Sequence, residues 1–131
     1  MNETFKFVDF MEENDLYKEG TSDIDLSALA RLLEVQQKDL ARAFNISESQ
    51  ISRGTANILS NAFLKQWMGI FNMLSVHIKK SEPGADKERI RLKMSRWLKT
   101  PNIQFKNNTP LEMMIDGKTR RVIKLLEQIT G

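Results

Sequence analysis

Between Glu48 and Arg53 the chain sets Glu48, Ser49, Gln50, Ser52 and Arg53 almost side by side. They close the stretch QKDLARAFNISESQISR, which runs from Gln37 to Arg53. Amide, hydroxyl and guanidinium groups on one helix face can hydrogen-bond base edges and phosphates. A face chosen only for solubility would carry more lysine and glutamate. Glu48 repels phosphate but can accept a hydrogen bond from cytosine. Gln37 and Lys38 stand at the start of the preceding helix, where free N–H groups also favour a phosphate. The chemistry on offer is recognition, not bond making.

Other chemistries lack their parts. The sequence has no cysteine and one histidine, His77, with no evident partner. Thiol nucleophiles, disulfides and zinc sites built on cysteine are excluded, and metal-ligand spacing is absent. Gly69, Gly84 and Gly117 are isolated, so no glycine loop cradles a phosphate. The expectation is a protein that is not an enzyme and needs no cofactor.

The elements that must hold the Gln37–Arg53 face are helices. Leu40, Ala41, Phe44, Ile46 and Ile51 take the inward positions of two short helices meeting at a tight turn. Asn45 stands where that turn needs positive φ, which asparagine tolerates. Ser47 caps the second helix, and Gln50 completes a capping box. An earlier register, Leu29–Leu40, fits the same inward pattern, but it puts Glu34 at the turn and lacks a serine cap. The later register is preferred.

Around this pair, a weak helix signal covers Asn2–Lys18, with Phe7, Phe10, Met11 and Leu16 near helical spacing. Thr21–Asp25 offers caps for a helix striped by Leu26, Leu29, Ala30 and Leu33. A long helix is expected from about Ser60 to Lys79. Phe63, Trp67, Ile70, Phe71, Leu74 and Ile78 make its stripe, with Leu64, Met68 and Met73 widening the face, either central core or a dimer seam. SEPG (residues 81–84) breaks the chain. Ile90, Met94, Trp97 and Leu98 then line a helix whose other faces carry Arg89, Arg91, Lys93, Arg96 and Lys99. Thr109, Pro110 and Glu112 form the strongest helix start, and Gly117 ends that short helix. A last helix carries Val122, Leu125, Leu126 and Ile129 on one face. The whole reads as all-α with about seven helices.

Two stretches carry a family resemblance. Gln37–Arg53 resembles the helix-turn-helix of the Cro/repressor, or Xre, class, with Asn45 in place of glycine. That likeness implies a recognition helix in the major groove. WLKTPN, TPLEMM, Gly117 and the Val122…Leu125-Leu126…Ile129…Gly131 series resemble the Xre/MbcA/ParS toxin-binding domain. QFKNN, Gln104–Asn108, departs from the glycine-rich turn usual there. The resemblance implies a type II antitoxin that binds a RES-domain, NAD-consuming toxin and represses its operon. It also implies that the C-terminus lies near the toxin's active-site cleft. Toxin-binding residues are then expected at Arg120, Arg121, Lys124, Gln128, Ile129, Thr130 and Gly131, with Gln37, Lys38, Glu48, Ser49, Gln50, Ser52 and Arg53 on operator DNA. The same last-helix apolar residues could instead pack on the helix of Ile90–Leu98. A free-standing repressor whose C-terminal half only oligomerises is the alternative.

Charge fits this layout. Residues 1–23 carry seven acids and two bases, residues 24–80 four and seven, and residues 81–131 six and eleven. The corresponding net charges of −5, +3 and +5 sum to the chain's +3. The expected organisation is an acidic arm over 1–22, a helix-turn-helix domain over 23–80 and a toxin-binding domain over 81–131. No apolar run is long enough for a membrane span, and MNETFKFVDF is too polar for a secretory signal. A cytoplasmic homodimer is expected.

Overall fold

The computed structural model describes residues 24–53, 55–56 and 61–130, without the side chains of Arg53, Thr55, Ala56 and Thr130. The acidic arm over 1–22, the Asn2–Lys18 helix signal and Gly131 lie outside the described residues. The fold is all-α, with seven α-helices among the described residues.

Asp25 accepts a hydrogen bond from the Ala28 N–H at 3.1 Å and starts α1 (Leu26–Leu33). Leu26, Leu29, Ala30 and Leu33 are its buried stripe. α2 (Gln37–Phe44) and α3 (Glu48–Arg53) follow. A two-residue strand before α1, β1 (Ile24–Asp25), pairs antiparallel with β2 (Thr55–Ala56), matching Ile24 to Ala56 and Asp25 to Thr55. This pairing returns the chain after α3 to the start of α1. The Ser27 hydroxyl adds a tie, donating to the Ile51 carbonyl at 3.1 Å.

α4 (Ala62–Ser81) has 20 residues, about 30 Å of helix. Asn61 caps it by accepting from Leu64 N–H at 3.0 Å. The same side chain donates to the Phe44 carbonyl at 3.2 Å, joining the start of α4 to the end of α2. Leu64, Trp67, Met68, Ile70, Phe71, Leu74 and Ile78 are buried, so more than one face of α4 is covered. Trp67 meets Phe44 edge-on, with ring centroids 4.8 Å apart. The helix serves as central core. Phe63 departs from the expected stripe. It lies in the first turn and is 37% exposed, while its neighbour Leu64 takes the buried position.

α5 (Lys87–Leu98) starts at Asp86, which accepts from Arg89 N–H at 2.8 Å. It buries Ile90, Met94 and Leu98, while Trp97 is only half-buried. The basic side of α5 is less free than its composition implied. Glu82, at the end of α4, holds Arg89 at 3.0 Å and Lys93 at 3.5 Å. Lys99 reaches back to Glu34 at 2.7 Å.

The QFKNN departure folds as a 3₁₀ turn (Ile103–Phe105) followed by two left-handed residues, Lys106 (φ 54°) and Asn107 (φ 68°). Asn102 N–H donates to the Asn108 carbonyl at 3.1 Å and closes the loop, while Phe105 is buried beneath it. α6 (Pro110–Ile115) has the complete capping box. Thr109 N–H donates to the Glu112 carboxylate at 2.7 Å, and Glu112 N–H donates to the Thr109 hydroxyl at 3.0 Å. Gly117, at φ +80°, makes the left-handed exit.

α7 (Thr119–Thr130) returns along α4. Thr119 is buried, and its hydroxyl donates to the Gln66 side-chain oxygen of α4. Val122, Leu125 and Leu126 are buried. Ile129, one turn further, is 47% exposed, because the packing ends before it does. Residues from α1 through α7 share one hydrophobic cluster. At its edge Arg42 of α2 pairs with Asp116 at 3.4 Å.

Candidate functional site

The polar face depends first on the corner between α2 and α3. Asn45 lies at φ 57°, ψ 48°, the left-handed conformation its type suggested. Ile46 N–H then donates to the Ala41 carbonyl at 3.0 Å, and Asn45 N–H to Arg42 at 3.3 Å. These bonds satisfy carbonyls that the helix end leaves open. Leu40, Ala41, Phe44 and Ile51 are buried, and Ile46 is partly buried against them.

The preceding corner is built the same way, which the residue types argued against. Glu34 also adopts positive φ, 57°, with Val35 N–H donating to the Ala30 carbonyl at 3.1 Å. Glutamate gains nothing locally from that conformation. Its side chain instead meets Lys99, 65 residues away in sequence. That hydrogen bond and charge hold the Glu34 carboxyl below its usual range. Glu34 at the turn therefore does not count against the earlier register, since both corners have the same geometry. They differ at the next cap, where Gln36 makes no side-chain cap hydrogen bond for α2 and Ser47 makes one for α3.

On α3, Glu48, Ser49, Gln50 and Ser52 are all exposed with the C-terminal half in place. Gln37 is half-buried and Lys38 exposed at the start of α2. Gln50 does two jobs. Its side-chain oxygen accepts from Ser47 N–H at 3.0 Å, while its own N–H donates to the Ser47 hydroxyl at 3.3 Å. The carbonyl end is thus engaged in the cap, and the amide NH₂ end is the part that a base acceptor could use. Ser52 donates to the Ser49 carbonyl at 3.3 Å. The Arg53 side chain lies outside the described residues.

The expected toxin-binding residues divide. Arg120, Arg121, Lys124, Gln128 and Ile129 are exposed on α7, while the Thr130 side chain and Gly131 lie outside the described residues. Arg121, Lys124 and Gln128 line one cavity of about 430 Å³, and Arg120 stands apart from it. Lys106 and Lys118 line the same cavity from two loops. Sequence reasoning missed both lysines. The signal available was the QFKNN departure, whose turn brings Lys106 to α7. Ile129 lines a second, more apolar groove of about 480 Å³ with Leu74, Trp97 and Leu126. His77 sits on that groove, half-buried.

Among the described residues, no group of three or more His, Cys, Asp or Glu side chains could hold a metal ion. No helix among them is long and apolar enough to cross a membrane. No curated protein and no solved structure matches the chain. Residues 91–131, from within α5 through α7, match the family model of the antitoxin Xre/MbcA/ParS C-terminal toxin-binding domain, which supports an antitoxin role in a toxin–antitoxin system.

Proposed function

We propose that this chain neutralises a RES-domain, NAD-degrading toxin and, as a homodimer in the cytoplasm, represses its own operon. The observation that carries the reading is the match of residues 91–131 to a toxin-binding domain. In this reading residues 81–131 bind the toxin through the exposed side of α7 and the chain's C-terminus. Residues 23–80 read the operator. Glu48, Ser49, Gln50, Ser52 and Arg53 approach bases, and Gln37 and Lys38 approach phosphate. Support for DNA reading comes from the α2–α3 corner and from the exposure of the α3 polar side chains. The protein acts by occupying surfaces and carries out no reaction.

Growth rescue on co-expression with the product of the adjacent gene tests the division of labour. The chain with Gln50→Ala and Arg53→Ala is expected to rescue. The chain lacking Gln128–Gly131 is expected to fail, since it loses the end of α7 while Val122, Leu125 and Leu126 stay in place. Full rescue by the truncated chain with failure of the double variant would replace this reading with a free-standing repressor.

A further inference from the structure

We propose that the cavity beside α7 receives an acidic segment of the toxin, a short stretch presenting Asp and Glu side chains. The proposal rests on the antitoxin reading and names the chemistry of its contact. Lys106 comes from the 3₁₀ loop, Lys118 from the turn before α7, and Arg121 and Lys124 from α7 itself. Among the described residues, no carboxylate lines this space of about 430 Å³.

Arg42, Arg89, Lys93 and Lys99 each sit within 4.0 Å of a carboxylate. Lys106, Lys118, Arg121 and Lys124 have no such partner among the described residues. Several other basic side chains, Lys65, Lys80, Lys87 and Arg96 among them, also lack a carboxylate within 4.0 Å among the described residues, so what sets the cavity's four apart is that they line one space. Like charges gathered around one concavity repel, and an incoming anion relieves that repulsion. Part of the lining is apolar, since Phe105, Met113 and Leu125 are buried there, and the rest is polar and exposed.

The occupant is protein rather than phosphate for two reasons. The polar side chains of the cavity are all exposed, so it is a groove without the buried donors that would grip a small anion. Next to Gln104 of its lining, Ile103 is 84% exposed. A bare anion or a DNA backbone leaves that isoleucine in water. A protein segment can cover it as an apolar contact beside the charged one.

The test measures association of the full chain with the purified adjacent-gene toxin across a salt series. One variant carries Lys106→Gln, Lys118→Gln and Lys124→Gln. A control of equal net charge carries Lys65→Gln, Lys80→Gln and Lys87→Gln, all exposed and away from the cavity. The cavity variant is expected to associate roughly tenfold more slowly at low salt and to approach wild type as salt rises. The control is expected to follow wild type. A separate Ile103→Ser variant, exposed and therefore safe for the fold, is expected to dissociate several-fold faster. Wild-type behaviour of both the cavity variant and Ile103→Ser would overturn the inference and leave the antitoxin reading standing. Failure of the wild-type chain to bind the toxin would overturn both. Competition for the cavity by random duplex DNA, lost in the lysine variant, would overturn it in favour of nucleic acid.

Discussion

Asn45→Val tests the corner that aims α3. Asn45 sits at φ 57°, ψ 48°, where a β-branched residue crowds its own backbone. Left-handed geometry costs an ordinary L-residue about 1–2 kcal/mol, and asparagine escapes part of it. Glycine escapes nearly all of it but gives the unfolded chain more freedom, up to about 1 kcal/mol in the opposite sense. Asn45→Gly is therefore expected within about 1 kcal/mol of wild type, and Asn45→Val about 1–2 kcal/mol below it. For a chain of this length each kcal/mol moves Tm by roughly 3–6 °C. A drop of about 3–12 °C is expected for valine, against a shift of no more than about 3–6 °C in either direction for glycine. Asn45 is exposed, so neither variant opens a cavity that would confuse the comparison. Thermal melts at matched concentration decide it. Equal Tm values for the two variants would refute the left-handed corner.

Three further outcomes follow from particular contacts. Gln50→Glu preserves an oxygen acceptor for Ser47 N–H, so Tm is expected to hold, while loss of the amide NH₂ and the added charge abolish operator binding in a mobility shift. Glu34→Gly relieves a strained left-handed glutamate but loses the Lys99 pair; in high salt, which screens that exposed pair, Tm is expected to rise above wild type. Glu82 is held below its ordinary value of 4.5 by the hydrogen bond from Arg89. A lowered carboxyl contributes stability above its unfolded pKa and loses it as pH falls through the folded value. Glu82→Gln is therefore expected to melt lower than wild type at neutral pH and to converge with it in acid below 4.5; an unchanged gap across that range would contradict the pairing.

What the sequence made legible was local. Thr109, Pro110 and Glu112 announce a helix start because cap donor and acceptor lie three residues apart, and the structure forms both bonds. Asn45 and Gly117 announce left-handed exits by their own conformational range, and both adopt them. Glu34 was misleading for the same reason: its type opposes positive φ, and what it gains there is contact with Lys99, which no nearby residue reveals. Phe63 and Ile129 show a second limit. Helical spacing says which side of a helix a residue occupies, but not where along that side the neighbouring helices stop. The cationic cavity was legible only in half. Arg121 and Lys124 share a helix face, whereas Lys106 and Lys118 arrive from loops whose course is set by the 3₁₀ turn and by Gly117. The family likeness was readable because it rests on residue types in order, and the match over residues 91–131 covers most of the elements that carried it.

The most direct measurement is the mass of the species formed when the full chain is mixed with the purified product of the adjacent gene, read by light scattering on a sizing column. A stable complex containing both proteins is predicted, and it should persist when Gln50 and Arg53 are replaced by alanine. Separate elution of the two proteins, from a chain that still shifts its operator DNA, would contradict the toxin-binding role.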